Sequence, residues 1–186
     1  MKSNLNDLFY LISSLPALMH NQEPRISSDE FMTMCNEQLD PEKAQSIAAI
    51  SLSPDDNGNL DVHRNWQEWL VFVKNCIAEI RASRLKRPLG DSLRETQVSD
   101  TYTRKLLEDA FLQPTPADRE AAIDLACWNF LEDLAASHVF DLDALAIYRL
   151  KLLLLEKRDS RSFGEGLKIF DGIVNAATKQ AKNTRI

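Results

Sequence analysis

The sequence predicts an all-α fold, a multi-helix bundle or a stack of helical hairpins with about seven helices. Three observations lead there. The 186 residues include 26 Leu and 18 Ala but only 6 Val and 7 Thr; Leu and Ala favour helix, whereas β-branched residues favour strands. Glycine occurs only 5 times, so helices are rarely interrupted by the residue that loses most backbone entropy on folding. Apolar residues recur at helical spacing between segments that carry helix-start chemistry. With 44% hydrophobic and 27% charged residues, the chain has the composition of a folded protein and not of a disordered tail.

Taken in order, residues 1–25 form an apolar segment that ends in a Pro-containing turn. Ser27-Ser28-Asp29-Glu30 opens a helix: Ser27 caps it, and Glu30 returns a hydrogen bond to the cap amide. Its inward face carries Phe31, Met34, Cys35 and Leu39. Asp40-Pro41-Glu42 starts a second short helix, with Asp as cap and Pro at the first helical position. Ser53 to Asp61 is a polar loop.

The clearest helix follows. Trp66, Trp69, Leu70, Val73, Ile77 and Ile80 lie along one face of a segment predicted from Asn65 to Arg87, which stops at Pro88-Leu89-Gly90. Residues 88–99 read as a linker. Ser99 or Asp100 caps a helix carrying Leu106, Leu107, Ala110 and Phe111, halted by Pro114. Thr115-Pro116 begins another, with Ile123, Trp128, Leu131 and Leu134 as its apolar contacts. Asp141 caps the next, which runs to Asp159 and is apolar over much of its circumference, as befits a helix in the middle of a bundle. Ser162 with Glu165 repeats the capping-box spacing before a final helix using Leu167, Phe170, Ile173, Val174 and Ala177. These elements read either as one helical domain over 1–186 or as two lobes, 1–87 and 100–186, joined by the linker 88–99. Trp66-x-x-Trp69 and Trp128-x-x-Leu131 are weak echoes of a repeat.

Several function classes are disfavoured. A net charge of -6 and a pI near 5.1 argue against a nucleic-acid binder, whose domain normally carries positive charge. Cys35, Cys76 and Cys127 are odd in number and far apart, so reduced core thiols are expected in place of a disulfide framework. Leu8 to Met19 has the apolar character of a signal peptide, but Asp7 abuts it and Ser13, Ser14 and Pro16 interrupt it. No stretch approaches the roughly 20 apolar residues that span a bilayer. A cytoplasmic protein without direct membrane insertion is the expectation.

Catalytic, cofactor-binding and metal-ligating residues are not expected. His20, His63 and His138 have no metal-type partner at helical spacing and read as surface or boundary residues. No Gly-rich phosphate loop is present. The loop Ser53–Asn59 resembles a calcium loop in composition. With Gly58 at its turn position, however, Ser53 occupies the first ligand place and Arg64 the last, where calcium needs Asp and Glu. Turn chemistry explains it. Glu132-Asp133 and Asp141-Leu142-Asp143 read as acids at helix ends or on a polar face. A small helical enzyme with an unrecognised pocket would need a converging polar cleft; no small-molecule ligand is expected.

Charge distribution says more. Residues 1–60 hold 3 basic and 9 acidic side chains, whereas 81–87 hold 4 basic and none acidic. Arg81, Arg84, Lys86 and Arg87 form a candidate docking patch for an acidic partner, at a helix end where cations also complement the dipole.

One resemblance points further. The run Phe9-Tyr10-Leu11-Ile12-Ser13-Ser14-Leu15-Pro16, then Pro24, Ile26-Ser27-Ser28 and Glu30-Phe31, resembles the start of a small bacterial family encoded with V/A-type ATPases and described as C-subunit-like. That family opens on a YYLxSSLP pattern, in which Phe9 here replaces an aromatic. Trp66 with Ile80-Arg81-Ala82-Ser83-Arg84-Leu85, and the block Phe140 to Leu145 with Tyr148, Lys151, Leu152 and Glu156, extend the likeness over most of the chain. It implies a non-catalytic, all-helical component of a V/A-type rotary ATPase that couples the central stalk to the membrane ring, or an accessory or assembly factor for it. The implied partners are other ATPase subunits, and the implied place is the inner membrane's cytoplasmic face, reached through them. The chain has about half the residues of a complete C-type subunit, and the matching motifs read as packing positions with no contact residue to carry over. An alternative from the residues alone is a cytoplasmic helical adaptor unrelated to ATPases.

Overall fold

Helices begin where a short polar side chain satisfies amides left free in the first turn. The computed structural model describes residues 5–53, 59–89 and 93–161. The helices are α1 (Leu5–Ser14), α2 (Ser28–Gln38), α3 (Pro41–Ala48), α4 (Asp61–Leu85), α5 (Thr101–Ala110), α6 (Pro116–Ala135) and α7 (Leu142–Ser160), and no strand occurs among the described residues. The fold is all-α, as the composition requires. At α2 the capping box forms: the Glu30 amide donates to Ser27 Oγ at 3.2 Å, and the Ser27 amide donates to the Glu30 carboxylate at 2.8 Å. Asp100 accepts from the amides of Tyr102 and Thr103, Thr115 from that of Asp118, and Asp141 from that of Ala144.

Two starts differ from expectation. Asp40 precedes Pro41 at the head of α3 but makes no side-chain cap, and its carboxylate faces Lys43 at 3.8 Å. Helix α4 begins four residues before Asn65, at Asp61, behind an apolar cap residue, Leu60. It ends at Leu85, ahead of Pro88, because Lys86 turns the backbone left-handed at φ 50° and ψ 40°. The expected final helix, with its Ser162 and Glu165 capping box, lies outside the described residues, as does most of the Ser53–Asn59 loop.

Helix α7 lies amid the others, packing on α1, α2, α3, α4 and α6. Leu145, Ala146, Leu150 and Leu152 are fully enclosed, and each such Leu stabilises the fold by about 1.5–3 kcal/mol relative to exposure. From α4, Trp66, Trp69, Leu70 and Val73 are buried on the predicted face, whereas Ile77 and Ile80 are partly buried. The Trp69 ring stacks on Phe130 of α6, with centroids 4.2 Å apart and planes 9° from parallel. Cys35, Cys76 and Cys127 are free buried thiols, and burial pushes Cys35 and Cys127 up to about 12. His63 departs from the boundary position expected of it: it sits within the core on α4, 1% exposed. α5 and α6 form a short hairpin, and α5 also packs on α4. That arrangement brings the end of α4 beside the α5–α6 turn.

Candidate functional site

The basic end of α4 is built from a helix terminus and an aromatic residue on its neighbour. Arg81, Arg84, Lys86 and Arg87 are all exposed. Arg81 and Arg84, one turn apart, reach over the ring of Phe111, the residue that ends α5, at 5.8 and 5.4 Å from its centroid. Arg119, from the first turns of α6, approaches the same ring at 4.8 Å. Phe111 itself is buried. A guanidinium over an aromatic face gains about 0.5–1 kcal/mol at an exposed site, so the ring holds three cations together at modest gain. The sequence identifies Arg81 and Arg84 but leaves Arg119 unremarked on α6. Lys86 and Arg87 follow them in sequence, at and just after the left-handed turn.

Several other cations of the described surface are ion-paired. Arg104 pairs with Glu79 at 2.6 Å, Lys151 with Glu132 at 2.9 Å and Arg161 with Asp124 at 3.0 Å. Among the described residues, Arg81, Arg84, Lys86, Arg87 and Arg119 enter no such pair. Of the acids that flank Arg119 in sequence, Asp118 accepts from the Thr115 hydroxyl at 2.7 Å and Glu120 pairs with Arg161 at 3.3 Å.

A second constellation gathers residues from two of the stretches that carry the resemblance. The rings of Phe9 and Phe140 meet at 4.8 Å, joining α1 to the α6–α7 turn. Tyr148 of α7 donates its hydroxyl to the Pro16 carbonyl at 2.9 Å and stacks on Phe31 of α2 at 5.2 Å. Burial pushes its phenol up to about 12. Glu156 accepts from the Ser28 amide at 2.6 Å and from its hydroxyl, while Arg149 donates to the Ser28 carbonyl at 3.2 Å. Ile12, Leu15, Ala144 and Tyr148 line a groove of about 220 Å³ between α1 and α7. These motif residues therefore meet across α1, α2 and α7 and act as packing and tying groups.

Several of the other acids and histidines are engaged structurally. Asp141 caps α7 and meets His138 Nδ1 at 2.8 Å, and Asp143 accepts from the Val62 amide at 3.3 Å. Asp124, missed in the sequence because it falls on an otherwise mixed face of α6, is 4% exposed and accepts from Lys157 and Arg161. His20 packs edge-on against Trp128 at 5.6 Å. Burial, then the charge of Arg158, holds its imidazole below the ordinary 6.5, while Asp124 opposes that shift. Among the described residues no grouping of His, Cys, Asp and Glu could hold a metal ion.

Comparison with known families gives one match: residues 89–181 fit the family model described as a protein of unknown function (DUF2764), which covers half of the chain and takes in α5, α6 and α7. No curated protein and no solved structure matches the chain.

Proposed function

The chain belongs to the DUF2764 family, and for this member we propose a non-catalytic role in a bacterial V/A-type rotary ATPase. It acts there as a C-subunit-like coupling between central stalk and membrane ring, or as an accessory factor in assembly. The observation that supports this reading is the second constellation above. Residues from two stretches of the resemblance to the C-subunit-like family, the opening run and the Phe140–Glu156 block, fasten α1 and α2 to α7, through Tyr148 to Pro16 and Glu156 to Ser28.

A part that passes torque must resist bending. Helix α7 is 19 residues long, about 28 Å at 1.5 Å per residue, and is clasped from several sides. Ties made by hydrogen bonds to its flanks oppose sliding, which apolar contact alone permits more readily because it is non-directional. The exposed cations at the end of α4 supply a surface for an acidic partner, where charge complementarity governs orientation and association rate. No described helix is long and apolar enough to cross a membrane, and in this reading the protein is cytoplasmic and reaches the inner membrane through its partners.

Co-purification tests it. The protein should be recovered with central-stalk subunits from native membranes and show no ATPase activity alone; repeated recovery without any ATPase component overturns the reading. The unpaired cations also favour a second reading, a cytoplasmic adaptor for an acidic protein unrelated to ATPases. Reversing Arg81, Arg84, Lys86 and Arg87 to Glu should then abolish capture of that partner, and unchanged capture counts against it.

A further inference from the structure

Resting on the docking role proposed above, we infer that Arg81, Arg84 and Arg119, set around the Phe111 ring, form a receptor for carboxylates of an acidic protein segment. Three helices contribute: α4 supplies two guanidiniums, the end of α5 the ring, and α6 the third guanidinium. A guanidinium held beside an aromatic ring still has its outward terminal N–H groups for acceptors. That fork matches a carboxylate with two parallel hydrogen bonds.

Charge balance gives the reason for a ligand. Like charges gathered within about 6 Å of one centroid repel, and the ring offsets this only in part. At Lys157 and Arg161, by contrast, the chain supplies its own carboxylate, Asp124, between two cations. Here, among the described residues, no carboxylate is ion-paired with Arg81, Arg84 or Arg119, while Glu79 pairs with Arg104 and Glu120 with Arg161. An incoming anion supplies the missing counter-charge.

The layout selects the class of anion. Arg81 and Arg84 are one helical turn apart and exposed, and Lys86 and Arg87, also exposed, follow within three residues of Arg84. A row of cations engages several carboxylates along a peptide, whereas a single small anion reaches only part of it. Guanidiniums held beside a ring are also positioned before binding, which reduces the side-chain ordering that association otherwise requires.

Fluorescence anisotropy with a labelled oligoglutamate peptide tests the assignment on the full chain. Arg84→Ala and Arg119→Ala should each weaken binding by about tenfold, in line with loss of a charge-assisted pair. Lys43→Ala, which removes the same unit charge from α3, should leave binding unchanged. Thermal melts confirm that each variant is folded, and Arg84, exposed on α4, serves if Arg119→Ala disturbs α6. Equal losses from all three variants overturn the proposal, because net charge then suffices. Tighter binding of inorganic tripolyphosphate than of the peptide also overturns it, assigning the cluster to phosphates. The ATPase reading is scored separately by co-purification. Peptide binding through Arg84 and Arg119 without ATPase recovery leaves the receptor standing and removes the ATPase; recovery with no peptide binding does the reverse.

Discussion

Glu156, near the end of α7, accepts hydrogen bonds from both the amide and the hydroxyl of Ser28, the first residue of α2 and 128 positions earlier. The carboxylate thus occupies the positive end of α2 from outside the helix, where an anion is favoured by the free amides and the dipole. Ser27 caps the same terminus from within. The start of α2 is fixed twice, once locally and once by α7.

Replacing Glu156 with Ala leaves the Ser28 donors without their acceptor. Because the contact is only part-buried, water recovers some of the loss, and a cost of about 1–3 kcal/mol is expected. For a chain of this length each kcal/mol lowers Tm by about 2–4 °C. Ser28→Ala should cost less, since the amide keeps its acceptor. Equal melting temperatures for Glu156→Ala and the parent would show that the tie contributes nothing to stability.

Asp124 is the most enclosed carboxylate among the described residues that bears an ion pair, at 5% side-chain exposure between Lys157 at 3.2 Å and Arg161 at 3.0 Å. Asp124→Asn keeps the shape and removes the charge both cations share. The cations are about 40% exposed and can hydrate, so the cost falls below that of a fully buried pair, at about 1–3 kcal/mol. The urea midpoint should drop with an unchanged slope. A midpoint equal to the parent's would remove the pair from the list of stabilising contacts.

Stability should also fall on mild acidification through His20. Its imidazole titrates below 6.5 in the folded chain, chiefly through burial, and near 6.5 once unfolded. Between those values the unfolded chain binds more protons, so unfolding gains as pH falls below 6.5 and the loss levels off beneath the folded value. Stability is therefore at its full value above 6.5 and reduced below it. His20→Gln should flatten Tm against pH over that window relative to the parent. An imidazole resonance for His20 that titrates at or above 6.5 in the folded protein would contradict this account.

The caps at Ser27, Asp100, Thr115 and Asp141 were legible in the sequence because each partner lies within three residues. So was the enclosure of α7, whose apolar residues occupy most of its circumference. The start of α4 was not. Leu60 offers no side-chain cap, and the Val62 amide is instead met by Asp143 from α7, 81 positions away. A cap of that kind leaves no local signal, and Asp143 reads by itself as a solvated acid. The docking surface divides the same way. Arg81, Arg84, Lys86 and Arg87 stand out as a charge run, whereas Arg119 joins them only because α6 folds back beside α5. Phe111 reads as one more core residue until the three guanidiniums are placed on it.

Lys86 gives the prediction that separates backbone from side chain most cleanly. It is the only non-glycine residue with positive φ among those described, at φ 50° and ψ 40°, and its amide donates to Ala82 and Ser83 to close α4. An L-residue with a Cβ held there costs about 1–2 kcal/mol relative to right-handed backbone, and glycine is the usual occupant of that position after a helix. Lys86→Gly removes the clash but adds freedom to the unfolded chain, which returns part of the gain. A net stabilisation of about 0.5–1 kcal/mol, or about 1–4 °C in Tm, is therefore expected. Lys86→Ala keeps the Cβ, removes the charge and should not raise Tm, so the pair distinguishes strain from electrostatics. If the alanine variant rises as much as the glycine one, repulsion among the neighbouring cations, and not the left-handed turn, limits the stability of this helix end.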